Sequence, residues 1–326
     1  MNRQSHHIPV ELSNLLKLLA CIVICLHHYS QYGLDMHHIS GPVYKVLRSV
    51  GGDLSVTLFF FLSGYGLMYS EIRRPFDLKR FAVKRFWRIL EPFWLVNLFA
   101  VIIYLILGVD NIATKSPLNV VASIFGVLRF DPTMWFIHYL LVIYILFGIG
   151  MWLRRPVLVV GGGIIAFIVI AVINRLPSHL WSSLFAFPFG MIVGASPDAT
   201  IRFFRRYEIL FVGLIFYAAL MYCFVFDGQQ TNGPLWHQLN NILLVVLLLF
   251  IIGRTPLKYM NWYKLPSKWQ PYYEVYLVHP KILFVTLFSF GIFIPLWIFL
   301  PLTFAIALVF CNIPSVSEMG KLTRRK

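Results

Sequence analysis

Two histidines, His27 and His28, lie side by side inside the first long apolar stretch of the chain, in the run ICLHHYSQ from Ile24 to Gln31. An imidazole titrates near neutrality, so it can move a proton, bind a metal or attack a carbonyl. Inside a membrane-spanning helix an ionisable side chain is costly. It turns toward the bundle interior and marks a working site by default. Helical residues succeed one another at about 100°, so Asn14, Cys21 and His28 drift by only about 20° per seven-residue step. Lys17 falls on the same side. His28 thereby continues a polar stripe Asn14–Lys17–Cys21–His28 expected to face inward, while His27 points about 100° away. The plainer alternative makes both rings interfacial anchors, like the nearby Tyr29 and Tyr32.

Two further segments carry charge into apolar surroundings. The run FDLKRFAVKRFWRILEP, from Phe76 to Pro92, sets Lys79, Arg80, Lys84, Arg85 and Arg88 among large aromatics. Arg85 and Arg88 are helical neighbours at i, i+3 and can grip one anion together; a guanidinium fork suits a phosphate. An amphipathic helix lying on anionic lipid is the simpler physical reading of the same pattern. The run YYEVYLVHPKILF, from Tyr272 to Phe284, places Glu274, His279 and Lys281 in one late apolar segment. Glu274 and Lys281 share a face, and Pro280 can bend the helix just after His279. A structural polar network and a functional lining fit this run equally. The four cysteines, Cys21, Cys25, Cys223 and Cys311, form no CxxC pair and have no metal-ligand spacing, so neither a disulfide nor a metal site is expected.

These residues must be positioned by membrane helices. Of the 326 residues, 59% are hydrophobic and 13% charged, against about 45–50% and 25% in soluble domains. A net charge of +15 would suggest nucleic acid on a soluble chain. Here the gathering of Lys and Arg in cytoplasmic loops explains it, and no nucleic-acid partner is expected. Apolar segments approaching the 20 or so residues a span needs occur at 12–33, 52–70, 89–109, 134–153, 156–173, 180–195, 209–226, 239–253, 272–291 and 293–311. The sixth is short and interrupted by Pro188. With a cytoplasmic N-terminus, 21 of the 28 Lys and Arg fall inside and five outside. The expectation is an all-α integral membrane protein: a bundle of about ten transmembrane helices, both termini cytoplasmic, forming one membrane-embedded domain over 1–326. The first apolar segment has no small-residue cleavage site behind it and reads as a retained helix. Gly161, Gly162 and Gly163 are expected to let two helices pack closely.

Several segments, in order, resemble those of the acyltransferase-3 family of multi-pass membrane acyltransferases, which includes O-acetyltransferases of bacterial surface sugars. NLLKLLACIVICLHHY is similar to the family's opening helix, an Asp-x-x-Arg followed by an apolar run and a histidine. VTLFFFLSGYGL (56–67) is similar to its Phe-Phe-x-x-Ser-Gly-Phe/Tyr segment, and FAVKRFWRILEPFW to its Arg-x-x-Arg segment, met by Arg85 and Arg88. MWFIHYLLVIY (134–144) and YEVYLVHP (273–280) resemble its later Trp-Phe and Tyr-Leu-x-His segments. The family's Asp is Asn14 here and its Arg is Lys17, so an ion-pairing or base-orienting role of that Asp does not carry over with its residue.

The resemblance implies a ten-helix core and an O-acyltransferase whose donor substrate is an acyl-CoA, acetyl-CoA in the leading reading. It implies a sugar hydroxyl of a cell-envelope polysaccharide or lipid-linked glycan as acceptor. It implies a multi-pass protein of a bacterial inner membrane, with the lipid bilayer as its surroundings. His28 falls on the family histidine at the reaction centre, and Arg85 with Arg88 on the pair near the CoA phosphates. Lys17, Asn14, Glu274 and His279 are secondary pocket candidates, and Trp135 could line an acceptor site. The oligomeric state is open, a homo-oligomer included. The rival reading is a non-enzymatic transporter of sugar or lipid intermediates, which would need no acyl-CoA.

Overall fold

A computed structural model of the chain describes residues 8–208, 210, 212–214, 241, 243–247 and 270–313. Every regular element among them is helical: α1 (Val10–Asp35), α2 (Pro42–Glu71), α3 (Leu78–Ile106), α4 (Asp110–Ala113), α5 (Pro117–Ile124), α6 (Trp135–Trp152), α7 (Pro156–Ile173), α8 (Ala186–Ala195), α9 (Pro197–Arg206), α10 (Tyr272–Phe284) and α11 (Leu296–Cys311). Short 3₁₀ turns at Pro132–Met134 and Ser178–Leu180 lead into α6 and α8, and a π turn at Val285–Ser289 extends α10. The labels number the described helices only.

Among the described residues, five elements are long and apolar enough to cross a membrane: α1, α2, α3, the stretch Pro132–Trp152, and α7. α8 and α11 are apolar but shorter. The expected spans at 209–226 and 239–253 lie largely outside the described residues, as do Cys223 and both termini. One boundary differs from the sequence reading in a way that matters. α3 starts at Leu78, eleven residues before the expected span, because the Asp77 side chain caps it by accepting the Arg80 N–H at 3.0 Å. Arg85 and Arg88 therefore sit on the opening turns of the same helix that goes on to form the span.

Glycines set the closest helix pair. A Cβ at Gly194 would lie 2.5 Å from the Tyr65 carbonyl oxygen, and one at Gly64 or Gly190 would overlap the carbonyls of Phe187 and Phe61. The backbones of α2 and α8 thus touch directly, which only glycine permits. The glycine run in α7 behaves otherwise than expected. Gly163 packs on Leu146, but a Cβ at Gly161 or Gly162 would meet nothing. α2 also packs along α1, and α10 packs against α1, α3 and α11. The first helix and the one that carries YLVHP are thereby neighbours.

Candidate active site

The polar stripe of α1 faces α10. Cys21, fully buried, donates its thiol hydrogen to the Tyr272 carbonyl at 3.1 Å. Two turns further on, His28 Nδ1 lies 2.8 Å from His279 Nε2, and the two ring planes, edge to edge with centroids 5.0 Å apart, are inclined by only 23°. His279 is wholly enclosed, and its Nδ1 donates to the Val275 carbonyl at 3.0 Å. Pro280 follows directly and brings no N–H to the Tyr276 carbonyl, which loosens the helix at that turn.

His28 forms part of the wall of a cavity of about 1280 Å³, shared with Gln31, Tyr32, Trp135, His179 and Tyr276. Lys45, Arg48 and Asp53 bring charge to the same space. His27 lines it too, so the helical phase that separates the neighbours does not remove His27 from the site. Its Nδ1 donates to the Leu47 carbonyl of α2 at 3.1 Å, and its ring lies over Gly52, where a Cβ would come within 2.8 Å of Nε2.

One wall, at Pro132, Thr133 and Tyr276, is braced from behind by a buried ion pair absent from the sequence reading. Lys281 Nζ lies 2.6 Å from Asp131 Oδ2, with both residues buried. The other Asp131 oxygen accepts from the Thr133 N–H and hydroxyl, each at 2.7 Å. The Tyr276 hydroxyl donates to the Thr133 carbonyl. Burial pushes the Asp131 carboxyl up, but Lys281 and the two Thr133 bonds outweigh it and hold it below the usual range. Glu274 and Lys281 do share a face, yet seven residues span about 10 Å of helix. Glu274, half-buried, interacts electrostatically with Cys21 instead.

At the other end of the stripe the basic residues collect. Arg88 is exposed and interacts electrostatically with Lys17 and, together with Arg85, with Tyr144. Helices α1 and α3 thus bring Lys17, Arg85 and Arg88 to one region next to Tyr144 of α6, and Asn14, one turn before Lys17 on α1, is half-buried. The two arginines are not equivalent. Arg85 donates to Ser70 Oγ at 3.1 Å and pairs with Glu71 at 3.6 Å, while Arg74 closes on the same carboxylate. Glu71 is almost wholly buried, and Arg85 Nε is buried with no partner. Arg85 is therefore a braced guanidinium and Arg88 an accessible one.

Residues 12–315 match the acyltransferase-3 family, described as an acyltransferase domain. The chain belongs to that family. Membership makes it an acyltransferase, and its long apolar helices make it one of the membrane. No curated protein and no solved structure matches the chain. Sequence reasoning passed over Glu71, Asp131 and Gln31. Asp131 meets its partner 150 residues away, which no local pattern reveals, and Glu71, besides its i, i+3 neighbour Arg74, meets Arg85 14 residues on. Gln31 had a signal: it follows His28 by three, one turn on along the same face.

Proposed function

We propose that the protein is a membrane O-acyltransferase that moves an acyl group, acetyl in the leading case, from acyl-CoA to a sugar hydroxyl. The acceptor is a cell-envelope polysaccharide or lipid-linked glycan, and the setting is the inner membrane of a bacterium. The observation that carries this reading is His28, lining a large polar and aromatic cavity at the end of the α1 stripe remote from Lys17, Arg85 and Arg88. The cavity exceeds the about 300–1,000 Å³ usual for small-ligand pockets. That size favours a stretch of glycan over a single free sugar. Trp135 offers an apolar ring face, and Gln31 an amide with both donor and acceptor groups.

The chemistry needs a base at the acceptor and cations at the donor. His28 removes the hydroxyl proton as the oxygen attacks the thioester carbonyl. The tetrahedral adduct then expels the CoA thiolate, which takes the proton back from His28, so protons balance and the ester is formed. Lys17, Arg85 and Arg88 hold the CoA phosphates by charge. Lys17 lies eleven residues before His28, about 16 Å along the helix, a distance an extended pantetheine arm covers.

Mass spectrometry of envelope glycans from a deletion strain tests the reading. The strain should lose one acetyl increment per modified sugar, wild-type protein should restore it, and His28→Ala should not. Full restoration by His28→Ala would overturn the assignment of His28, and unchanged glycans in the deletion strain would overturn the acceptor class.

A further inference from the structure

The bonds between α1 and α10 form a directed chain. A carbonyl oxygen can only accept, so the contact of His279 Nδ1 with the Val275 carbonyl places a hydrogen on that nitrogen. A neutral imidazole has one donor and one acceptor nitrogen, so His279 Nε2 accepts. His28 Nδ1, 2.8 Å away, must then be the donor. The remaining nitrogen, His28 Nε2, is left with a bare lone pair. It has no hydrogen-bond partner among the described residues, and it is not one of their buried unpartnered atoms, so it is open to the cavity that the ring lines. The reverse polarity would need a charged His279 in a site with no exposure. A charge there requires a counter-ion, and Asp131 on that side is already engaged by Lys281.

We infer that His279 is a positioning residue that fixes the tautomer and the plane of His28, so that Nε2 is the nitrogen that meets the acceptor hydroxyl. The role rests on His28 being the base. Being fully buried, His279 touches no substrate and acts only through its neighbour. Catalytic histidines commonly have the second nitrogen held by a carboxylate or a carbonyl, which sets which nitrogen is basic. Here a second imidazole does so and is itself held by the Val275 carbonyl. The arrangement delivers a neutral acceptor to His28, so the imidazolium formed during transfer is hydrogen-bonded without a buried anion beside it.

The test joins spectroscopy to kinetics on the full chain in lipid nanodiscs. In protein labelled with ¹⁵N-histidine, the His28 signals are assigned by difference from His28→Ala. Wild-type His28 should show a protonated, pyrrole-type Nδ1 and an unprotonated, pyridine-type Nε2. The reverse pattern overturns the inference without recourse to any further variant. For kinetics, the donor is acetyl-CoA and the acceptor is envelope polysaccharide isolated from the deletion strain. His279→Leu removes the acceptor atom and should lower kcat by about 10²- to 10⁴-fold, the range of general-base catalysis, with both KM values within about twofold. His279→Gln supplies an amide oxygen to His28 Nδ1 and should recover kcat to within about tenfold of wild type. Wild-type kcat in His279→Leu, with His28→Ala inactive, would sink the positioning role alone. An active His28→Ala would sink the underlying reading of His28 as base. If His279→Leu does not fold, the wild-type spectrum decides.

Discussion

Replacing Lys281 by Met would leave the Asp131 carboxylate, 2% exposed, without its cation. Removing one partner of a buried ion pair costs about 3–5 kcal/mol, because a desolvated charge is left behind. Asp131→Asn strands the ammonium in the same way, although its side-chain oxygen can still accept from Thr133. The double variant Lys281→Met/Asp131→Asn strands neither. Its loss should fall short of the summed single losses by up to about 3 kcal/mol, the upper range for residues in contact. At about 2 °C per kcal/mol for a large domain, each single variant should unfold at least about 5 °C below wild type in detergent. A second measurement separates this from general damage. The pair and the Tyr276 bond fasten the cavity wall at Pro132, Thr133 and Trp135. Acceptor KM should therefore rise in the single variants while KM for acyl-CoA stays put. The pH dependence has a definite sign. A carboxyl held below its ordinary value adds stability above its unfolded pKa, near 4, and loses it as pH falls through the folded value. The gap between wild type and Asp131→Asn should be full at pH 7 and close only below about pH 4. Additive single losses, or a gap that closes between pH 5 and 7, would refute the reasoning.

Three other perturbations separate roles that the sequence alone leaves merged. His27→Ala removes one bond to the Leu47 carbonyl and part of the cavity wall; kcat should stay within about tenfold of wild type, measured beside the inactive His28→Ala. Arg88→Ala should raise KM for acyl-CoA about tenfold, the loss of one charge-assisted contact, and flatten its salt dependence. Arg85→Ala should in addition lower the unfolding temperature, since it strips a partner from buried Glu71. Gly190→Ala drives a methyl into the Phe61 carbonyl and should cost about 1–3 kcal/mol. Gly161→Ala meets nothing and should be neutral or stabilising by up to about 1 kcal/mol. Thermal unfolding of the two glycine variants side by side is the check.

What the sequence yields and what it withholds follow from the range of each interaction. The α7 span was legible to the residue because a run from Pro156 to Ile173 is apolar throughout and begins on a proline. The inward stripe of α1 was legible because helical phase is a local property, and Cys21 and His28 do meet α10. The start of α3 was missed because hydropathy marks where a helix enters lipid, whereas the Asp77 cap marks where it begins. His279 was visible as a polar residue in an apolar run, but its partner lies 251 positions away. Lys281 was visible in the same way, and its partner Asp131 was not, because the two are near only in space. The consecutive glycines of α7 drew the expectation of close packing, whereas the unread signal was the G-x-x-x-G spacing of Gly190 and Gly194, the glycines that α8 sets against the α2 backbone.

The same contacts constrain the path of the chain. Cys21 meets Tyr272 and His28 meets His279, each pair 251 residues apart, so α1 and α10 run parallel and in register. Gly190 sits at Phe61 and Gly194 at Tyr65, so α8 runs parallel to α2. α2 returns antiparallel to α1 after a short connection, and it ends at Glu71, on the side where α1 begins. α8 ends on that side as well, and α10 starts there. The chain between Ala195 and Tyr272 therefore leaves and returns on one side, and it must cross the bilayer an even number of times. The apolar runs at 209–226 and 239–253 are expected from the sequence to supply two crossings; crossing by one alone would break the parity. A cysteine placed at Asn232, between the runs, should react with a membrane-impermeant maleimide from the side opposite to one placed at Arg73. Labelling of both from the same side would show that neither run crosses, and the bundle would then have eight helices rather than ten.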